Sequence, residues 1–462
     1  MLNQTTAERT LARALCSGGD FAEIYLEDGD ATTLSMTRGK METAVSGRTF
    51  GAGVRVYKGT NSVYVYTNDC SEAGLLQAAE QAAAAVGALG ADGSVSLSWS
   101  ATPQVIAPIA VAPATVATAR KADRVREAYA AATAYDPLVV QSEVSYRDWS
   151  KRFWLANSEG LFTSESHTYT RLAAMAIASD GQETQTGFKG PGRQMGFELF
   201  DGIVDSAALG REVARMAVTA LKAEPCPAGR MPVAIGNGFG GVIFHEACGH
   251  SLEATSVAKG SSVFADKLGQ TIASPVVTAL DDATIVNGWG SANIDDEGTP
   301  TQRLTLIENG VLKNFLIDRM GGRRMGMKPT GCGRRQSYRF APTSRMSNTF
   351  IAPGTSTDEE ILGSMAEGLY CRSMGGGSVN PATGEFNFAV TEGYLVKNGK
   401  IDRPVRGATL IGKGSEVLTR IDMVGSALDF GQGMCGSESG SIPADVGQPM
   451  VRVSEMTVGG RK

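Results

Sequence analysis

Histidine is scarce in this chain: three occur in 462 residues, at positions 167, 245 and 250. A metal centre built on the adjacent pair would therefore need a third ligand of another type, since catalytic zinc sites ordinarily use three protein ligands. Long apolar runs are missing as well. The most apolar stretch, 105–119, is short and interrupted by Pro108 and Pro113, which excludes a membrane span there. Residues 1–16 are polar and read as an amphipathic helix rather than a secretory leader. The seven cysteines are odd in number and scattered, which argues against a disulfide framework and for reduced thiols. The expected location is cytoplasmic, with no membrane partner. At a net charge of −5 the chain has no general basic excess, and no nucleic-acid partner is expected.

What is present divides into two parts. The length allows two or three domains with buried cores, and the composition is that of an ordinary globular protein. After the first helix, 21–27, 54–57 and 63–66 alternate as half-buried strands. An alanine-rich helix is expected over 71–89, then a Gly/Ser/Pro/Ala-rich surface strap to about Thr118, then a helix over 120–134. Strands follow at 139–146, 152–156 and 161–179, and a helix over 201–223 is closed by Pro225 and Pro227. The domain boundary is read there. Residues 1–225 form an N-terminal α/β domain of antiparallel sheet with helices, and 226–462 a β-rich C-terminal domain. His167 stands alone in the first and is expected to be structural. In the second, Glu308-Asn309-Gly310 and Lys397-Asn398-Gly399-Lys400 are hairpin signals. Residues 357–370 read as a helix, with Asp358 and Glu359 suited to its N-terminal dipole. Short glycine-rich strands beyond suit a barrel-like core, giving an α+β fold class overall.

The chemistry concentrates in residues 238–254, where His245, Glu246 and His250 lie within six positions. Two imidazoles around a glutamate are the ingredients of two metal ligands and a general base. The plain alternative is a capped or core-packed pair of histidines. The spacing is i, i+5 rather than the familiar i, i+4, so a regular helix would leave the rings about 140° apart. Both reach one ion if the helix carries a π-type bulge or ends between them, and Gly249 is the residue that would permit it. Gly238, Gly240 and Gly241 are not followed by Lys-Ser/Thr, so close backbone packing, not a phosphate loop, is their expected role.

Thiolate is a natural third ligand, and Cys248, Cys332 and Cys435 all lie in this half. Most free cysteines are small buried hydrophobes, but Cys435 sits between glycines in what reads as a polar loop. Asp295-Asp296-Glu297, read as a solvated turn or a set of caps, ranks below the thiols. The basic run from Arg323 to Arg345 can bind a carboxylate or phosphate. Ion pairs with acids of its own domain are the commoner use.

These residues carry a family resemblance. The stretches 245–254, 296–300, Gly331-Cys-Gly-Arg334-Arg335-Gln-Ser-Tyr338, Arg345-Met-Ser-Asn348-Thr349, 367–370 and 457–460 recur in order across 231–460. Together they resemble the TldD branch of the TldD/PmbA family, proposed metallopeptidases also described as modulators of DNA gyrase. The resemblance implies a two-domain fold and a Zn2+ ion bound by His245, His250 and Cys435. It further implies Glu246 as catalytic base, unfolded peptides as substrate, and a heterodimer with a PmbA (TldE)-type sister subunit, a homodimer being the alternative. Two positions depart from the pattern: Cys332 replaces the usual Asn, and Gly436-Ser437-Glu438-Ser439-Gly440-Ser441 replaces a turn with Lys and Gln.

The expected activity is zinc-dependent hydrolysis of extended peptides by metal-activated water. A peptide adding as a strand to a sheet edge would give backbone-based, permissive recognition. The rivals are a non-hydrolytic peptide-binding or assembly subunit, which a closed four-ligand site would reveal, and a gyrase-associated regulator, which salt-dependent DNA binding would reveal.

Overall fold

Strands in the first half run far longer than their alternating patches suggest. The structure, a computed structural model, describes residues 1–380 and 383–460. Phe21–Thr37 pairs antiparallel with Lys40–Lys58 on one side and Val139–Asn157 on the other, and Leu161–Ser179 pairs beyond that. One continuous strand, Val139–Asn157, replaces the two expected at 139–146 and 152–156. Asp148, between those two stretches, stays in the sheet because buried Lys121 from helix Thr118–Thr133 donates to it at 2.6 Å. Helices Gln4–Leu15 and Glu72–Val86 bury Leu11, Leu75 and Ala79 against Ile24, Val54 and Val56. Helices Thr118–Thr133 and Ser206–Lys222 bury Val125, Leu209 and Val213 against Val144 and Leu172. Asn3, Ser71 and Asp205 cap three of these helices through their side chains. The strap between the helix pairs is tied down where the Val105 and Ile106 N–H groups donate to Asn293 Oδ1, at 2.6 and 2.9 Å.

In the second half, five strands close on themselves. Gly229–Ile235, Glu367–Val379, Glu385–Lys397, Thr409–Lys413 and Val451–Gly459 each pair with the next, and the last returns to the first. This is the barrel expected from the glycine-rich pattern, and the α+β class holds. A six-stranded sheet stands beside it, ending in Asn348–Ile351, Gly440–Gln448 and, at its edge, Asp429–Ser437. Both Asn-Gly turns form as read: Asn309, Gly310, Asn398 and Gly399 all take the positive φ that such two-residue turns demand. The helix expected over 357–370 stops at Gly363. Gly368-Leu369-Tyr370 joins the barrel instead, because Leu369 pairs with Val233 in the core and a side chain at 368 would strike the Pro232 carbonyl. Among the described residues no helix is long and apolar enough to cross a membrane.

The two halves meet through buried charge. Arg55 donates to Glu23 and, across the boundary, to Glu297; Arg335 crosses the other way to Glu23 at 2.7 Å. Arg323 reaches Asp20 and Arg319 reaches Glu159. Within the basic run, Arg323 and Arg335 thus pair with acids of the other half, whereas Arg345 faces Glu253 of its own. Asp295, Asp296 and Glu297 are buried rather than solvated, and accept the backbone N–H groups of Gly333, Arg335 and Arg319 respectively. Burial disfavours the Glu23 carboxylate, but Arg55 and Arg335 outweigh it and hold its pKa below the usual value. Its stabilising contribution is therefore complete above the unfolded-state value of about 4.3 and is lost as the pH falls through the lower folded value. Glu23→Gln should cost about 3–5 kcal/mol in urea unfolding, because it strips a buried pair of guanidinium groups of their shared charge. An unchanged unfolding midpoint would contradict this account of the junction.

Candidate metal centre

The strand Gly229–Ile235 leads into the site and turns at Gly238, whose φ is +68°. A side chain at Gly241 has no room, since its Cβ would lie 2.4 Å from the Gly447 carbonyl oxygen. Close backbone packing accounts for Gly241 alone: Gly238 is required by its positive φ, and Gly240 packs against the side chains of Gln448 and Ile235. Helix Val242–Ala247 then buries Val242, Ile243 and Phe244 in the core and carries His245. It ends at Cys248, where φ −129° and ψ −49° leave helical geometry, and a 3₁₀ turn, Gly249–Leu252, carries His250. Of the two routes open to an i, i+5 pair, the chain takes the second. The imidazoles meet edge to face with centroids 5.1 Å apart. Gly249 serves by its lack of bulk, because a Cβ there would sit 2.2 Å from Met346 Sδ; its φ is not in the left-handed region.

Cys435 arrives not from a loop, as its glycine neighbours suggested, but from the edge strand Asp429–Ser437, where pairing opposite Ile442 keeps the chain extended. Its Sγ lies 3.3 Å from His245 Nε2 and 3.4 Å from His250 Nε2. The three candidate donor atoms all fall within 4.8 Å of one another. Tetrahedral zinc, with Zn–S of about 2.3 Å and Zn–N of about 2.0–2.1 Å, sets N···S separations of about 3.5 Å, which both observed N···S distances match. Electrostatics agree. Burial opposes ionisation of the Cys435 thiol, yet the facing His245 and His250 rings bring its pKa down to about 3. A thiolate with two imidazole nitrogens turned toward it is a soft cation site.

Each imidazole is held from behind. His245 Nδ1 lies 3.1 Å from Thr349 Oγ1, and His250 Nδ1 lies 3.2 Å from Glu253 Oε2. Such partners fix ring orientation and leave Nε2 for the metal. Arg345, fully buried, donates to the Cys435 carbonyl, to Ser439 Oγ and to the Gly440 carbonyl, while its Nε lies 4.0 Å from Glu253 Oε1. One guanidinium therefore joins the hairpin bearing Cys435 to the carboxylate that orients His250. Glu253 sits at i+3 from His250, a spacing that could have identified it; Thr349 and Arg345 are brought in only by the sheet.

Glu246 is not one of the three clustered donors but borders them. Its side chain is 30% exposed, with Oε2 3.7 Å from His250 Nε2. Cys248 and Cys332 are packed in the hydrophobic core, where burial pushes both thiols up. His167 lies outside the cluster, buried in strand Leu161–Ser179 and edge-on to Phe153 and Tyr169. Burial, reinforced by Lys151, holds its imidazole neutral with a pKa of about 3.

Known proteins share this arrangement of chain. Three family models match in succession: PmbA/TldA metallopeptidase domain 1 over 22–86, the central domain over 112–221 and the C-terminal domain over 228–460. A Haemophilus influenzae protein named "Metalloprotease TldD homolog" is 35% identical, with 96% of this chain and 93% of that protein covered. A "Zinc metalloprotease TldD homolog" from Saccharolobus solfataricus is 29% identical over 70% of this chain and 72% of its own length. Among solved structures, TldE from Thermococcus kodakarensis superposes with a TM-score of 0.76 at 18% identity, covering 96% of this chain and 97% of that one. A Thermotoga maritima structure, named as a candidate modulator of a DNA gyrase, gives 0.79 at 23% identity, covering 95% and 96%. These two likenesses are of fold. With all three family models matching and relatives above 30% identity along nearly its full length, the chain belongs to the PmbA/TldD metallopeptidase family.

Proposed function

We propose that the chain is a zinc peptidase that hydrolyses unfolded or extended peptides, with His245, His250 and Cys435 as ligands and Glu246 as general base. The observation that carries this reading is the convergence of two nitrogens and one sulfur from separate elements, with the partly exposed Glu246 carboxylate beside them. Three protein ligands leave a coordination position free, as hydrolytic sites require. When bound, zinc supplies Lewis-acid polarisation of the scissile carbonyl and lowers the pKa of water toward neutrality. Glu246 takes the proton from the attacking water and returns it to the leaving amine. Its partial exposure gives water and peptide access to that carboxylate. Glu253 and Thr349 hold the rings, and Arg345 holds the backbone of Cys435. The edge position of Asp429–Ser437 suits a peptide that adds as a further strand. Seven free cysteines suit a reducing cytoplasm.

Metal content and hydrolysis of an unfolded peptide, with chelation and zinc return, test the reading. Stoichiometric zinc without any turnover, in the presence of the partner described next, would instead favour a non-hydrolytic subunit. The family resemblance also leads us to a heterodimer with a PmbA/TldE-type sister chain. Alone, the chain should be weakly active or inactive, and mixing should give a heterodimer with restored turnover. A monodisperse homodimer with full activity would overturn that assembly. Within the site, Glu253→Gln should weaken zinc binding by about 10–100-fold, the usual effect of removing a partner that orients a ligand. Competition against a chromophoric chelator measures it, and an unchanged affinity would remove Glu253 from the site.

A further inference from the structure

A chamber of about 790 Å³ opens between the two halves of the chain, large enough for several residues of a peptide. One wall is the strand pair that bears Cys435, through Met434, Ser441 and Pro443, so the chamber borders the metal centre's own hairpin. Its lining is unbalanced in charge: six lysine and arginine side chains against three carboxylates, Glu27, Asp30 and Asp296. Three of those cations, Arg147, Arg334 and Arg339, have no carboxylate at ion-pair distance among the described residues. They are nevertheless held in place. Arg334 donates to the carbonyls of Met346 and Pro443 at 2.6 and 2.8 Å. Arg147 lies 4.9 Å over the Trp149 ring, and Arg339 lies over Tyr338 while donating to its hydroxyl. The same lining includes His167, buried, with no hydrogen-bond partner at Nε2. Fixed guanidinium groups without counter-charges are poised to take carboxylates from outside.

We propose that this chamber receives an acidic stretch of the substrate peptide, whose carboxylates are taken by Arg147, Arg334 and Arg339. The substrate class rests on the peptidase reading above. A peptide fits better than a nucleic acid. A phosphate chain carries a charge at every residue and would meet Glu27, Asp30 and Asp296 in the same walls, whereas a peptide places its few carboxylates apart on a neutral backbone.

Binding is measured apart from turnover, on the full-length chain carrying Glu246→Gln, by fluorescence anisotropy with short labelled peptides of Glu-Ser, Gln-Ser and Lys-Ser repeats. The Glu-Ser peptide should bind about tenfold more tightly than the Gln-Ser peptide, with an advantage that shrinks as salt rises. Arg147 and Arg339 are exposed, so the double substitution Arg147→Ala/Arg339→Ala should leave thermal unfolding unchanged and remove most of that advantage. Equal affinity for the three peptides, no binding at all, or an undiminished preference in the double variant would overturn the proposal. So would a single-stranded oligonucleotide that displaces the acidic peptide at lower concentration than unlabelled peptide does. Hydrolysis of the same peptides by the chain with Glu246 intact, alone and with its sister chain, separates the two readings. Acidic peptides that bind and are never cut would leave the chamber assigned and defeat the peptidase.

Discussion

Glu246→Gln should retain zinc and lose peptide turnover by about 10²–10⁴-fold, the range a positioned general base contributes. The side chain is 30% exposed and its one ion-pair partner among the described residues is His250, neutral as a metal ligand, at 3.7 Å, so the amide leaves no buried charge unpaired. Unfolding should therefore be unaffected, and lost activity cannot be laid to lost structure. The three donor atoms do not include Glu246, so metal content should stay near that of the unsubstituted chain. The assay is single-turnover hydrolysis of an unfolded peptide, with zinc measured on the same sample. Activity within a few-fold of the original would remove Glu246 from its role. Lost zinc would make it a ligand instead.

Legibility in the sequence followed the range of the interactions concerned. The Asn-Gly turns at 309–310 and 398–399 were readable because two residues and their φ values determine them. The ends of helices Thr118–Thr133 and Ser206–Lys222 lie within a few residues of the expected bounds, since their apolar stripes are local. The strands of the first half were underestimated. Residues 28–53 include polar and glycine positions exposed on both faces, and what keeps them extended is a paired neighbour along their whole length. Tyr370 was misread as helical because pairing beside Val233 is a tertiary fact. At the candidate metal centre, the His-Glu motif and the need for a ligand from elsewhere were legible. The ring-holding Thr349 was not, since its place depends on which strand lies beside the helix. The basic run was read as pairing within its own half because nothing local encodes the junction with Glu23 and Asp20.

Cys435→Ala should remove most of the zinc, whereas Cys248→Ser should leave its content nearly unchanged. The two thiols are distinguished by surroundings more than by sequence distance. Cys248 lies nearer the histidines along the chain, but it is fully buried among core residues and its thiol is pushed up by that burial. Cys435 faces both imidazoles at 3.3 and 3.4 Å and is brought toward the thiolate by them. Loss of this sulfur leaves two nitrogens, and affinity should fall by more than the roughly 100-fold upper range for an orienting partner. Cys435→Ser should also bind weakly, because a neutral hydroxyl is a poor replacement for thiolate. Cys248→Ser should instead lower stability by about 1–3 kcal/mol, the cost of a hydroxyl in an apolar pocket. Metal analysis after dialysis against a mild chelator, paired with urea unfolding, separates the two effects. Zinc retained in Cys435→Ala and lost in folded Cys248→Ser would reverse the assignment of the third ligand.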